Sequence, residues 1–185
     1  DMTPRAINRL VWVGMLAVIA LLAWRYSGKY LDGRGSLEVI ADGAPDTLIL
    51  SWSGDVRHPM ADSIATAFRE HGRDRKRVVL VLDSPGGLLS HGNEVISELQ
   101  RIGRTHALET VVENRSICAS MCVPIYLQGQ SRIAAPSARF MFHEVKLVDP
   151  ITKERQPQSE RQKAANTFQF LDLYFRPAGV PDAWM

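Results

Sequence analysis

Ser120 stands in the stretch Ser116-Ile-Cys-Ala-Ser-Met-Cys-Val-Pro124, and His143 closes the run Phe140-Met-Phe-His. Upstream, Ser84-Pro85-Gly86-Gly87 follows directly on the apolar run Val78 to Leu82. A serine, a histidine and a turn whose amides can converge on one point are the nucleophile, base and oxyanion donor of acyl transfer. Each has a plainer reading when taken singly. A serine caps helices, a histidine is more often a core or surface residue than a base, and a Gly-Gly turn after a strand is commonplace. Their order along the chain argues for a site, because two glycines let consecutive amides face one spot beside the serine.

Two familiar alternatives are excluded. No G-x-S-x-G nucleophile elbow is present, since Cys118 and Cys122 stand where its glycines would be. No lysine follows Ser120 at a strand end to act as base; Lys146 and Lys153 come only after His143.

These residues need a scaffold that carries them to one edge. Thr47 to Trp52 is a β-type run closed by Gly54-Asp55, and Val78 to Leu82 is apolar throughout, as a strand buried on both faces would be. Met60, Ile64, Ala67 and Phe68 share one helical face, and Val95, Ile96, Leu99 and Ile102 repeat at the same period. Leu108 to Val112 is a third strand, Ala119 to Leu127 a third helix with Ser120 at its start, and Ile133-Ala134 and Arg139 to Phe142 are short strand pieces. Strand alternating with helix predicts an α/β fold with right-handed βαβ crossovers. Ligands in such sheets bind beyond the carboxyl ends of the strands, where both the glycine turn and Ser120 fall. Glu154 to Tyr174 is expected as a long helix with Phe168, Leu171 and Phe175 on one side.

The 185 residues are 45% hydrophobic and 23% charged, which suits a globular chain rather than a disordered one. A net charge of +2 argues against a nucleic-acid partner, and the one basic run, Arg73 to Arg77, is broken by Asp74. The two cysteines lack histidine or acid at ligand spacing, so no metal site is expected. They are either two buried thiols or one local disulfide between Cys118 and Cys122.

From Leu10 to Trp24 the chain is uncharged and mostly apolar, between Arg9 and Arg25. Snorkelling arginines and the following Tyr26 extend the run towards spanning length, so residues 10–26 are expected to attach the chain to a membrane. Leu22-Ala23-Trp24-Arg25 is a poor cleavage site, which favours an anchor over a cleaved signal. The expected organisation is a single transmembrane helix within residues 1–29, a Gly- and Asp-rich linker at 30–45, and an α/β domain at 46–185. That domain is expected to be incomplete at its C-terminus. The short tail before the apolar run, with the cysteine pair, points the domain out of the cytoplasm.

The ordered set Gly54-Asp55-Val56, Asp83-Ser84-Pro85-Gly86-Gly87, Ala119-Ser120-Met121, Gly129, Arg132, Ala135-Pro136, Ala138 and Phe140-Met141-Phe142-His143 resembles the successive signatures of the Clp protease proteolytic subunit. That family belongs to the ClpP/crotonase superfamily, and the resemblance covers about Thr47 to Glu144. With the cysteines and the apolar segment, the chain is most similar to membrane-anchored, extracytoplasmic ClpP-like serine peptidases of bacteria, so the resemblance implies an inner-membrane protein facing the periplasm or cell exterior. It implies Ser120 as nucleophile, His143 as general base, the amides of Gly86-Gly87 and Met121 as the oxyanion hole, and a peptide or protein substrate. It further implies no cofactor, ATP-independent action, and a homo-oligomer in which the helix of Glu154 to Phe175 reaches a neighbouring subunit. The family's third residue is an aspartate after that helix, a position for which Asp182 is the candidate. Two rival functions share this scaffold: a non-catalytic peptide-binding or assembly module, and a crotonase-like acyl-thioester enzyme. The absence of a recognisable adenine-nucleotide pocket speaks against the second.

Overall fold

The computed structural model describes residues 35–143 and 156–184. The apolar segment 10–26 lies outside these residues, as do Lys146, Lys153 and the start of the helix expected from Glu154. Among the described residues no helix is long and apolar enough to cross a membrane.

The architecture is mixed α/β. Strand β1 (Ser36–Ala44) runs antiparallel to β2 (Thr47–Ser53), and β3 (Arg77–Asp83), β4 (Ala107–Val112) and β6 (Ser131–Ala134) continue the sheet in parallel, in the order β1-β2-β3-β4-β6. Helices α1 (Met60–His71) and α2 (Leu89–Gly103) form the crossovers from β2 to β3 and from β3 to β4. A second, two-stranded sheet pairs β5 (Ile117–Ala119) in parallel with β7 (Arg139–Met141). It joins the first at the C-terminal end of the central strand β3, through a bridge between Ser84 and Cys118. Helix α3 (Cys122–Tyr126) follows β5, and α4 (Glu160–Tyr174) precedes a short 3-10 helix at Asp182–Trp184.

Hydrophobic spacing accounts for the core. On α1, Met60, Ile64, Ala67 and Phe68 are buried, and on α2 Val95, Ile96, Leu99 and Ile102 are buried, as the 3.6-residue period requires. They close over Val78, Leu80 and Leu82 of β3 and Leu48, Leu50 and Trp52 of β2, all at most 1% exposed. Each such side chain contributes about 1.5–3 kcal/mol by leaving water.

Two expectations are corrected. Of the Gly- and Asp-rich segment 30–45 expected as linker, Ser36–Ala44 form β1, whose Leu37 pairs with Trp52 and Val39 with Leu50. A register shift between Ile40 and Ala44 breaks its alternation, which hides a strand from a period-2 reading. The third helix starts at Cys122, not Ala119: Ile117 to Ala119 are held as a strand by Ser84 and by β7. Ser120 therefore lies on the turn between strand and helix.

Candidate active site

Ser120 is built by its neighbours in sequence. β5 ends at Ala119, α3 begins at Cys122, and the reversal between them puts Ser120 at φ +51°, in the left-handed region. Non-glycine residues there cost about 1–3 kcal/mol and persist only where the surroundings over-determine them. Here three contacts do so. The Ser120 amide donates to the Met141 carbonyl at 2.9 Å, extending the β5–β7 ladder by one bond, and the Ser120 carbonyl accepts from the Val123 amide at 3.0 Å. The third is covalent: Cys118 and Cys122 are joined by a disulfide, with Cα atoms 5.2 Å apart and both residues buried. The bridge closes a ring of residues with Ser120 at its centre.

The glycine turn lies directly beneath. Gly86 has φ +95°, and a Cβ there would fall 2.5 Å from the Ala119 carbonyl oxygen, 2.7 Å from Ser120 Cβ and 3.1 Å from the Met121 amide nitrogen. Only glycine permits that approach. Ser84, fully buried, shapes the turn by accepting the Gly86 amide on its Oγ at 3.1 Å. Asp83 tethers β5 by accepting the Ile117 amide on Oδ1 at 3.0 Å. Gly87 forms a parallel bridge with Val56, in which Val56 donates to the Gly86 carbonyl at 2.8 Å and accepts from the Leu88 amide at 3.0 Å. That pattern uses the groups on either side of Gly87, so the Gly87 amide points away from Val56. Among the described residues neither the Gly87 nor the Met121 amide is taken by a protein acceptor. The Met121 side chain is buried against α2 at Gly92, which fixes the orientation of its peptide.

β7 brings the histidine to this edge. Met141 pairs with Ala119, and His143 follows two residues later, exposed. Two residues span at most about 7 Å, so His143 stays within that reach of the carbonyl that holds the Ser120 amide. Asp182 is elsewhere engaged. Its Oδ1 accepts from Arg176 Nη1 at 2.9 Å, and Arg176 also holds Asp172 at 2.8 Å. The two carboxylates together raise the guanidinium's pKa, chiefly through the hydrogen bond to Asp172.

A family model described as Clp protease matches residues 41–165, more than half of the chain. The chain belongs to the Clp protease family. Ser120, His143 and the glycine turn lie inside the matched segment, whereas Asp182 lies beyond it. Among solved structures, the chain is similar to the ClpP protease catalytic domain from Plasmodium falciparum, at 18% identity, 72% coverage of this chain, 66% of that one and a TM-score of 0.49. It is also similar to a ClpP1 mutant from Listeria monocytogenes, at 17% identity, 71% and 67% coverage and a TM-score of 0.46. The chain thus spans about two thirds of the length of these Clp proteases. No functionally curated protein matches.

Within this Clp protease domain, the contributions of Asp83 and Ser84 escape a sequence reading. Both belong to the quoted turn, but their roles depend on β5 returning beside it, a long-range contact without a local pattern. The only local signal is the Ser-Pro-Gly sequence, in which a serine hydroxyl can accept the amide two residues on. Among the described residues no cluster of His, Cys, Asp and Glu could hold a metal ion.

Proposed function

We propose that this chain is a membrane-attached serine hydrolase that cleaves peptide bonds, with its domain outside the cytoplasm at the bacterial inner membrane. One observation carries the reading: a serine held at positive φ on a strand-to-helix turn, packed on a glycine turn whose neighbouring amides lack protein acceptors among the described residues. Strain of this kind gathers at nucleophiles, because it lifts the hydroxyl clear of the backbone at the sheet edge.

In the proposed mechanism Ser120 Oγ attacks the substrate carbonyl as His143 takes the hydroxyl proton. The Gly87 and Met121 amides donate to the oxyanion, His143 returns the proton to the leaving amine, and the C–N bond breaks. Water, deprotonated by His143, then hydrolyses the acyl-enzyme and frees Ser120. Asp182 would complete the triad by exchanging Arg176 for the imidazole of His143. The buried disulfide supports an oxidising compartment. The exposed Phe168 and Leu173 on α4, a helix without a buried residue, support a second copy as partner.

The pairing of Asp182 with Arg176 favours one rival, a peptide-binding module that keeps the fold without turnover. Hydrolysis of fluorogenic peptides by the detergent-solubilised full chain separates the two. Turnover that Ser120→Ala abolishes supports the hydrolase, with a loss of at least about 10³-fold expected. Peptide binding that survives Ser120→Ala, with no turnover in the parent chain, supports the module. Asp182→Asn should lower kcat if that carboxylate reaches His143, and leave it unchanged if Arg176 retains it.

A further inference from the structure

Between β2 and α1 the chain runs as a short strap, residues 54–58, alongside the glycine turn. The two lie very close: a Cβ on Gly87 would fall 2.1 Å from the Val56 carbonyl oxygen and 2.8 Å from the Val56 nitrogen. Val56 is fully buried, and its backbone groups bond to Gly86 and Leu88. A shift of the strap therefore moves the peptides on either side of Gly87, whose amide is the proposed oxyanion donor.

Each end of the strap has its own tether. The Gly54 amide donates to the Asp83 carbonyl at 3.0 Å, at the end of β3. At the other end the His58 amide donates to Nδ1 of His91 at 3.0 Å, across 33 positions of sequence. His91 is the third residue of α2, the helix that leaves the glycine turn, so the strap is clamped to both elements that the turn joins. An imidazole nitrogen accepts only while it carries no proton. Protonated at Nδ1, the ring turns an N–H towards the His58 N–H, and the bond is lost. Histidine is the side chain that ordinarily changes charge between about pH 5 and 8. On the strap, Asp55 and Arg57 are paired with each other at 2.9 Å. On α1, the Asp62 carboxylate stands 3.3 Å from His58 Nδ1, so a charged His58 is drawn towards α1 rather than α2. On α2, the exposed Glu94 lies three residues after His91, and α4 brings the Tyr174 hydroxyl to Asn93.

We propose that His91 is a positioning residue for the site. In its neutral form it clamps the strap onto the glycine turn and keeps the Gly87 amide aimed at the oxyanion position; taking up a proton releases the clamp. The inference rests on reading Ser120 as the nucleophile and the Gly87 amide as an oxyanion donor. His91 acts through the strap, and the proton that it binds is not the one that His143 moves.

Two substitutions test it in the detergent-solubilised full chain. Asparagine carries an oxygen where histidine carries Nδ1 and accepts at every pH, whereas leucine cannot accept. At about pH 8, His91→Leu should lower kcat for fluorogenic peptides about three- to tenfold, the effect of one net hydrogen bond, with KM within about twofold of the parent. His91→Asn should recover kcat to within about twofold. Towards about pH 5 the parent should converge on His91→Leu, while His91→Asn stays about three- to tenfold above both. The acid limb set by the general base is common to all three chains, so ratios are compared. Ratios that do not change with pH, or an asparagine variant as impaired as the leucine one, would overturn the proposal. If His91→Leu fails to fold, the ratio of His91→Asn to the parent decides alone. Hydrogen exchange at the His58 amide, read by mass spectrometry with electron-transfer fragmentation, needs no turnover. At equal pH it should be about three- to tenfold faster in His91→Leu than in the parent, and equal rates would overturn the clamp. A parent chain without turnover counts against the hydrolase reading instead, and the exchange rates then decide the clamp.

Discussion

Ser120 occupies a backbone conformation that a smaller residue would adopt more readily. If that conformation serves catalysis, removing the side chain should stabilise the fold while ending function. Ser120→Gly is expected to raise unfolding free energy in urea by about 0.5–1 kcal/mol and to abolish peptide hydrolysis. An unchanged or lower stability would mean that the turn is not strained at Ser120. Gly86 is the reverse case. Its φ of +95° and the 2.5 Å approach of the Ala119 carbonyl leave no room for a methyl group. Gly86→Ala should cost at least about 2 kcal/mol and displace Ser120, with hydrolysis lost. Ser120, His143 and the Gly86-Gly87 turn were all legible as residue types. The αL conformation was not, because serine has no preference for it and the covalent and ladder constraints that impose it are non-local.

At the scale of elements, periodicity carried most of the reading. Met60, Ile64, Ala67 and Phe68 of α1 and Val95, Ile96, Leu99 and Ile102 of α2 are buried as their spacing demands, and the run Val78 to Leu82 lies in the central strand β3. The reading failed where partners are distant or local signals conflict. β1 is masked by Gly and Asp and by its register shift, and Ile117 to Ala119 become a strand only through Ser84 and β7. On α4, Phe168, Leu171 and Phe175 were expected on one side. Leu171 and Phe175 pack on the core, but Phe168 is 62% exposed. The disulfide acts at this scale too, clamping the last residues of β5 to the first of α3. Replacing both cysteines by alanine should cost about 2 kcal/mol or more through loss of the short closed loop. It should lower kcat for peptide hydrolysis more than it raises KM, since Ser120 is positioned less well; a change in stability alone would make the bridge merely structural. α4 is held to α2 by Tyr174, whose hydroxyl donates to Asn93 Oδ1 at 2.6 Å. Burial raises the Tyr174 pKa, against the smaller opposing effect of that hydrogen bond. A phenol that holds its proton more tightly when folded stabilises the fold below its unfolded pKa of about 10 and loses that contribution as pH rises through the folded value. Stability from denaturant melts should therefore fall above pH ~10, and Tyr174→Phe should show a smaller fall.

For the whole molecule, one sheet edge gathers the chain entry, the glycine turn, the bridged serine turn and the approach of His143. The parallel strands β2, β3 and β4 place two of these by their direction alone, and the antiparallel β1 brings the N-terminal end of the domain to the same side. Nothing in composition announces this convergence; it follows from topology. It also makes the central claim open to a measurement that needs no substrate. The full chain, folded and with its disulfide intact, is treated with a fluorophosphonate and the adduct is mapped by peptide mass spectrometry. The account predicts a single phosphonylated residue, Ser120, lost in Ser120→Ala and strongly slowed in His143→Ala. A folded chain that takes no label at Ser120 would contradict it.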